Sequence, residues 1–289
     1  MRASRALAAA LALAAGLACG SAARKLEEAN TLRRRGDPGG ALAAYKAILA
    51  DLGEGPLPVD QARVRAKALR FAGDVSYLEL GDYAGAIAYY RRIISLHPGG
   101  PEAYEARGVI GDIFRDRFDD RLGAVAQYAA IAASDAPQAA EYQLKVAREY
   151  LELKNTQQAR TEARILRERW PDSPLADEAQ LVTAQAWSLE RRDDEALGAF
   201  QALVERGPAP DVSARALAGQ AHIHAQAGRF DRALELYEQA LPAHPNPESI
   251  HTAIEAVRER RERARTATPG DRAAAFDYEK VRPNPRGEP

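Results

Sequence analysis

The chain has 289 residues, a formal net charge of −1 and a hydrophobic content of 46%, while aromatic residues make up only 7%. A nearly neutral chain lacks the strongly basic surface that nucleic-acid binding requires, so we expect no nucleic-acid partner. Because the chain contains a single cysteine, Cys19, a disulfide within the chain is excluded.

The N-terminal segment has the pattern of a secretory signal. Arg2 and Arg5 precede an unbroken run of apolar residues and glycine from Ala6 to Ala18. A membrane-spanning helix needs about 20 apolar residues, so this run is too short to be one. Residues 1–18 are therefore predicted to be the signal peptide of an exported protein.

Two processing routes are open for the residues behind this run. The segment "GLAC" at residues 16–19 resembles a bacterial lipobox, with Gly16 in the place where leucine is usual. The resemblance implies that Cys19 is lipidated, that residues 19–23 form a lipidated linker, and that the protein is anchored to the outer membrane facing the periplasm. The alternative is cleavage near Ala22, which discards Cys19 and leaves a soluble periplasmic or secreted protein.

From residue 24 onward, one pattern recurs six times. Most copies have an alanine anchor, an aromatic residue four positions later, an aliphatic residue seven positions later, and proline or glycine at twelve. Spacings of four and seven place side chains on one face of a helix, and proline or glycine ends that helix. The anchors are Ala41, Ala86, Ala124, Ala159, Ala196 and Ala233.

A second helix is predicted upstream of each anchor. It carries a small residue about twelve positions before the anchor and, in most copies, a bulky one about nine before it. This helix pair is similar to the tetratricopeptide repeat (TPR), whose usual period is about 34 residues. The resemblance implies an all-α, right-handed TPR solenoid of about six helix-turn-helix repeats over residues 24–246.

The residues behind the last repeat are predicted to form a capping helix and a tail. Ile250, Ile254 and Val257 mark one apolar helix face, which would cover the exposed side of the last repeat over residues 247–265. Residues 266–289 are rich in proline, glycine and charged residues, which predicts a disordered tail.

The links between the repeats favour a bacterial envelope protein. Prolines at the starts of first helices, such as Pro101, Pro174 and Pro247, give a linker style that resembles envelope TPR lipoproteins and periplasmic proteins. These include the lipoprotein of the outer-membrane β-barrel assembly machine and the Tol–Pal-associated cell-division coordinator. The resemblance implies partners among the proteins or peptides of the cell envelope.

No catalytic pattern is found in the sequence. It contains no nucleophile elbow, phosphate-binding glycine loop or zinc-protease motif. His222 and His224 lie two residues apart on a predicted helix, so their side chains diverge and cannot chelate one metal. We therefore expect no enzymatic activity, no cofactor, no metal and no small-molecule substrate.

The remaining function is binding. In the TPR arrangement, the first helix of each pair lines a concave groove. The chain is therefore predicted to be a non-enzymatic scaffold that binds partner proteins or peptides in this groove. Val75, Leu78 and Leu181 are expected as apolar neighbours there, with Ser188 and Gln226 as further polar ones. The main groove candidates are Asn30, Arg33, Arg34, Phe71, Asp112, Arg115, Arg148, Glu152, Gln185 and His222.

Overall fold

The computed structural model describes residues 21–266, and within them the chain folds into helices joined by short turns. The predicted signal peptide, Cys19 and residues 267–289 of the predicted tail lie outside the described residues. The all-α class is confirmed. The helices are α1 (21–34), α2 (Pro38–Leu52), α3 (Val59–Asp74), α4 (Tyr83–Leu96), α5 (Pro101–Phe118), α6 (Arg121–Ala132), α7 (Ala139–Glu152), α8 (Thr156–Arg169), α9 (Leu175–Leu189), α10 (Asp193–Glu205), α11 (Pro210–Gln226), α12 (Phe230–Ala240) and α13 (Pro247–Thr266).

The described helices form six pairs and one further helix, as the repeat pattern predicts. Odd-numbered helices come first in each pair, and α13 packs against α12 at the end. Two short segments add to this order: a π-helical turn, Val75–Glu79, continues α3, and a 3₁₀ turn, Leu241–Ala243, follows α12. The chain divides between Glu149 and Tyr150 into two compact units, here called unit 1 (described residues 21–149) and unit 2 (150–266).

The core of each unit is built from the repeat pattern. Every residue at the anchor position, and at four and seven positions after it, is at most 5% exposed. Ala163, which replaces the aromatic residue of the fourth copy, is fully buried as well. Since these positions share one helix face, that face of each second helix is the one that packs inward.

The small residues of the first helices allow the aromatic rings of the second helices to lie against the backbone. A Cβ atom on Gly73 would lie 2.9 Å from the ring of Tyr90, and one on Gly111 would collide with the ring of Tyr128. Both glycines are buried within helices. A side chain at either position would therefore push a core ring out of place.

An aspartate caps the second helix in each of the first three repeats. Its carboxylate accepts a hydrogen bond from the backbone N–H three residues later, which satisfies one of the free donors at the helix start. A glycine stands at that third position each time, and a Cβ there would collide with the carboxylate. The capping pairs are Asp37 and Gly40 (2.8 Å), Asp82 and Gly85 (2.9 Å), and Asp120 and Gly123 (2.8 Å).

Removing one such cap gives a modest and testable effect. We expect Asp120→Ala to lower the free energy of unfolding by about 1 kcal/mol, because the N–H of Gly123 loses its partner. Urea denaturation followed by circular dichroism measures the change. Asp172→Ala is the control, since Asp172 is exposed in the turn before α9. An equal effect of both substitutions would contradict the capping role.

Candidate protein-binding surface

In unit 1, polar side chains at predicted groove positions of the first helices form hydrogen bonds within the protein. In each of the first three repeats, the hydroxyl of a tyrosine on the second helix donates a hydrogen bond to a side chain on the first helix. The accepting residue directly follows the small residue of the first helix in the sequence. Two predicted groove residues, Asn30 and Asp112, are acceptors of this kind. The bonds join Tyr45 to Asn30 (2.7 Å), Tyr90 to Asp74 (2.7 Å) and Tyr128 to Asp112 (2.6 Å).

These bonds also fix the protonation state of the tyrosines. Burial raises the pKa of Tyr90 and of Tyr128 well above the usual range, and the hydrogen bond to an aspartate adds to the rise. Each hydroxyl therefore stays protonated and keeps donating. The oxygen of Asp112 that accepts this bond is committed to the fold.

Three other groove candidates of unit 1 also have partners within the chain. Arg33 pairs with Glu79 at 2.5 Å, and Arg34 pairs with Glu27 at 2.7 Å. The ring of Phe71 packs on the aromatic core, with its centroid 5.9 Å from that of Tyr45. Arg33 and Phe71 therefore join elements of the first two repeats, whereas the pair of Arg34 and Glu27 is more than half exposed and contributes little.

Arg115 belongs to an ion network around a buried carboxylate. Glu149 is only 6% exposed and lies 2.7 Å from Arg121 and 3.9 Å from Arg115. Arg115 also contacts Asp116 at 2.7 Å and Asp112 at 3.5 Å, and the bond to Asp116 raises the pKa of Arg115. A charge reversal at Arg115 would disturb this network, so it is a poor test of binding. Arg148, on α7, is exposed.

Unit 2 brings four of the predicted groove residues to one concave site, here called the Phe200 cleft. It has a volume of about 420 Å³ and lies where the C-terminal parts of α7, α9 and α11 meet. Val75 and Leu181, expected as groove neighbours, are instead buried in the cores of units 1 and 2. The polar residues of the Phe200 cleft are Glu152, Lys154, Gln185, Ser188 and His222, and its apolar floor is formed by Leu151, Leu189, Phe200 and Gly219.

Two polar side chains of the cleft lack the internal tyrosine bond, although the sixth repeat keeps a tyrosine, Tyr237, at the position of the donor. Gln185 and His222 directly follow the small residues of their first helices. In the first three repeats, the residue at this position accepts the hydrogen bond from the tyrosine hydroxyl. In the fifth repeat the facing ring is Phe200, which has no hydroxyl, so it cannot engage Gln185. His222 accepts a hydrogen bond from the side chain of Gln226 on the same helix at 2.6 Å. The sequence pattern predicted these residues in the groove, and the contacts in the structure show which of them accept a tyrosine hydroxyl.

The floor of the cleft is apolar and open. A Cβ on Gly219 would collide with the tip of the Phe200 ring, so this ring lies directly against the backbone of α11. Leu189, at the end of α9, is 52% exposed. A concave apolar floor with a few convergent polar groups is the usual form of a binding site.

The repeat pattern and the helix pairing agree with a family assignment. The sequence model of the tetratricopeptide repeat matches residues 26–101, 75–140, 144–211 and 194–247, which together make up more than half of the chain. The chain belongs to the tetratricopeptide repeat family. TPRs are protein-interaction modules, and their fold is typically non-enzymatic. No curated protein matches the sequence.

Several solved structures are similar to this chain at low sequence identity. The apo form of RapI has a TM-score of 0.52 at 14% identity, over 83% of this chain and 72% of its own. A TPR protein from Parabacteroides merdae ATCC 43184 has a TM-score of 0.48 at 15% identity, over 82% and 99%. PilW, a type IV pilus biogenesis factor, has 0.46 at 18% identity, over 80% and 98%. The likeness to RapI supports the fold.

The described part of the TPR region lacks both a metal-binding cluster and a membrane-spanning helix. Within residues 21–266, no group of three or more histidine, cysteine, aspartate or glutamate residues is placed to hold a metal ion. Over the same range, no helix is both long enough and apolar enough to cross a bilayer.

One TPR histidine is held in its neutral form. His224 lies half-buried on α11, and its Nδ1 accepts a hydrogen bond from Nε of Arg229 at 2.7 Å. Burial lowers the pKa of His224 below its ordinary value of 6.5, and the charges of Arg229 and Arg232 lower it further. The unfolded chain therefore takes up this proton at a higher pH than the folded TPR.

This shift makes the stability of the protein depend on pH. The stability that neutral His224 contributes is present above about pH 6.5 and is lost as the pH falls through the lower pKa of the folded state. We expect urea denaturation at about pH 5.5 to show a lower free energy of unfolding than at about pH 7.5. In His224→Gln, which can still accept from Arg229 but does not titrate, the loss should be smaller. An unchanged pH dependence in this variant would refute the role of His224.

Proposed function

We propose that this TPR protein is a non-enzymatic scaffold that binds a segment of a partner protein in the Phe200 cleft. One observation carries the proposal. Gln185 and His222 do not accept a tyrosine hydroxyl, whereas the residues at the equivalent positions of the first three repeats do. The two side chains lie beside an apolar floor formed in part by Leu189 and Phe200. A partner would bury an apolar side chain on this floor and exchange hydrogen bonds with Gln185, Ser188 and His222.

A set of cleft variants tests this proposal. We expect Leu189→Asp and Gln185→Ala each to weaken partner binding about tenfold, because one charges the floor and the other removes a central amide. Gln201→Ala is the matched control, since Gln201 is an exposed glutamine on the second helix α10. The readout is the partner protein recovered after crosslinking in envelopes of the source cell. Equal recovery with all three variants would refute the cleft as the binding site.

We further propose that the scaffold is held at the outer membrane by a lipid on Cys19 and works in envelope assembly. The support is the resemblance of residues 16–19 to a lipobox. Helix α1 is already formed at residue 21, two positions after Cys19. A lipid there would hold the first repeat next to the bilayer, facing partners in the periplasm. The alternative is a soluble periplasmic or secreted TPR module without a lipid.

Metabolic labelling separates the two versions. We expect a fatty-acid label on the native protein and none on Cys19→Ala, with the native protein in the membrane fraction and the variant in the soluble fraction. Native protein that is unlabelled and soluble would refute the anchor and support the alternative. The result is independent of the cleft variants, so the binding site and the anchor are tested separately.

A further inference from the structure

A second cleft lies in unit 1, at the opposite ends of the first helices from the turns within the repeats. It is here called the Tyr104 cleft, and it has a volume of about 480 Å³. It opens where the turn between α4 and α5 meets the turn between α6 and α7. Its main lining residues are Pro101, Tyr104, Glu105, Asp135, Pro137 and Tyr142.

The Tyr142 ring is held firmly in this cleft. Gly108 on α5 has no side chain, and a Cβ there would collide with the hydroxyl of Tyr142, so the ring reaches across α5. The ring of Tyr128 lies 5.6 Å away, centroid to centroid. The ammonium group of Lys145 lies 4.6 Å from the Tyr142 centroid. A ring fixed in this way offers a preformed surface to a ligand.

The charged groups of the cleft lining are both carboxylates. Asp135 is exposed and forms no ion pair among the described residues. Glu105 lies 3.2 Å from Arg70, but both side chains are more than half exposed. Such a surface pair contributes little and can be exchanged for another cation. The cleft therefore favours a positively charged ligand.

We propose that the Tyr104 cleft binds an extended, proline-containing peptide segment that carries an arginine or lysine. Proline rings pack on the flat faces of tyrosines, and polyproline II segments are recognised in aromatic-lined grooves for this reason. Pro101 and Pro137 also line the cleft and add rigid apolar surface to it. The cation of the peptide pairs with Glu105 and Asp135 in charge-assisted hydrogen bonds.

Hydrogen-bond donors in the cleft lining would bind the backbone of the peptide. A polyproline II segment makes no internal hydrogen bonds, so its carbonyl oxygens need external donors. Tyr104, Tyr142 and Gln138 each bring such a donor to the cleft lining. Burial raises the pKa of Tyr142, so its hydroxyl stays protonated and able to donate at neutral pH.

Three labelled peptides test the ligand chemistry with the full-length protein. The first is a synthetic nonapeptide in which prolines alternate with other residues and two of these are arginines. In the second, alanine replaces every proline, and in the third, glutamate replaces both arginines. We expect fluorescence anisotropy to show binding of the first peptide and about tenfold weaker binding of each of the others. Failure of the first peptide to bind, or equal binding of all three, would overturn the proposal.

Two variants locate the peptide on the protein. Tyr104→Ala removes an aromatic wall, and Asp135→Lys puts repulsion in the place of attraction. We expect each to weaken the first peptide about tenfold. Asp172→Lys is the matched control, because it makes the same charge change at an exposed turn of unit 2. Circular dichroism confirms folding of all three.

The outcomes separate this site from the Phe200 cleft. If Tyr104→Ala and Asp135→Lys bind the peptide as the native protein does, the Tyr104 cleft is not its site. If Leu189→Asp abolishes peptide binding while these two leave it unchanged, the peptide occupies the Phe200 cleft, and the present proposal fails while the proposed function stands. The proposal concerns a different unit and different residues, so it does not depend on that function.

Discussion

Replacing Tyr128 by alanine is expected to lower the free energy of unfolding by about 3–5 kcal/mol, the range for removing a large aromatic side chain from a core. Tyr128 is fully buried, and its ring fills the space over Gly111. Its hydroxyl donates to Asp112 at 2.6 Å, and its ring packs at 5.6 Å from that of Tyr142. Urea denaturation followed by circular dichroism measures the loss.

Tyr128→Phe is the matched control for this prediction. It keeps the ring and removes only the hydroxyl, and Asp112 still lies near Arg115 and Lys145. We expect a loss of about 1 kcal/mol, which is typical of one hydrogen bond. If Tyr128→Ala lowered the free energy of unfolding no more than Tyr128→Phe does, the packing of the Tyr128 ring would not stabilise the third repeat.

The second large effect is expected at Gly111, where alanine should destabilise the protein. In a helix interior, alanine is usually favoured over glycine by about 1 kcal/mol. Here a Cβ would collide with the Tyr128 ring, which is fully buried and held by its hydroxyl bond. We expect Gly111→Ala to lower the free energy of unfolding by about 1–3 kcal/mol, the cost of overpacking a core.

The control for Gly111→Ala is the same substitution on an exposed helix surface. Gly39 lies in the first turn of α2, and the nearest atom to a Cβ there is Oδ1 of Asp37 at 3.9 Å. We expect Gly39→Ala to leave the stability unchanged or to raise it by up to about 1 kcal/mol. Effects of the same sign at Gly39 and Gly111 would contradict the packing of Tyr128 on α5.

The helix pairing and the core could be predicted because they depend on spacing within one helix. Residues at the anchor, and four and seven positions after it, share a helix face wherever the helix lies, and all of them are buried. The aspartate caps could also have been predicted, because the first three repeats each have an aspartate followed three residues later by a glycine, as at Asp120 and Gly123. Both features are local along the chain.

The candidate site could be predicted only in part, because it depends on which side chains meet between helices. The family arrangement places Asn30, Asp112, Gln185 and His222 at equivalent positions. Only the contacts show that Asn30 and Asp112 accept tyrosine hydroxyls, whereas Gln185 faces Phe200. For Gln185, the available signal was the facing residue, which is phenylalanine in the fifth repeat and tyrosine in the first three and the sixth.

The ion network around Glu149 shows a further limit of the sequence pattern. Glu149 and Arg121 are 28 residues apart, and their contact at 2.7 Å depends on the packing of successive helices. From helix periodicity alone, charged residues are expected on solvated faces. The burial of Glu149 and the internal role of Arg115 therefore follow from tertiary structure only.

Site-specific photocrosslinking is the most direct test of the central claim, which is that the Phe200 cleft holds a partner segment. A photoreactive amino acid replaces Ser188 in the cleft or, as the control, Gln201 on the exposed face of α10. After irradiation of cells that express the protein, we expect one discrete adduct from position 188, lost when Leu189→Asp is added, and none from position 201. An adduct at 201 with none at 188, or an adduct at 188 that survives Leu189→Asp, would contradict the claim.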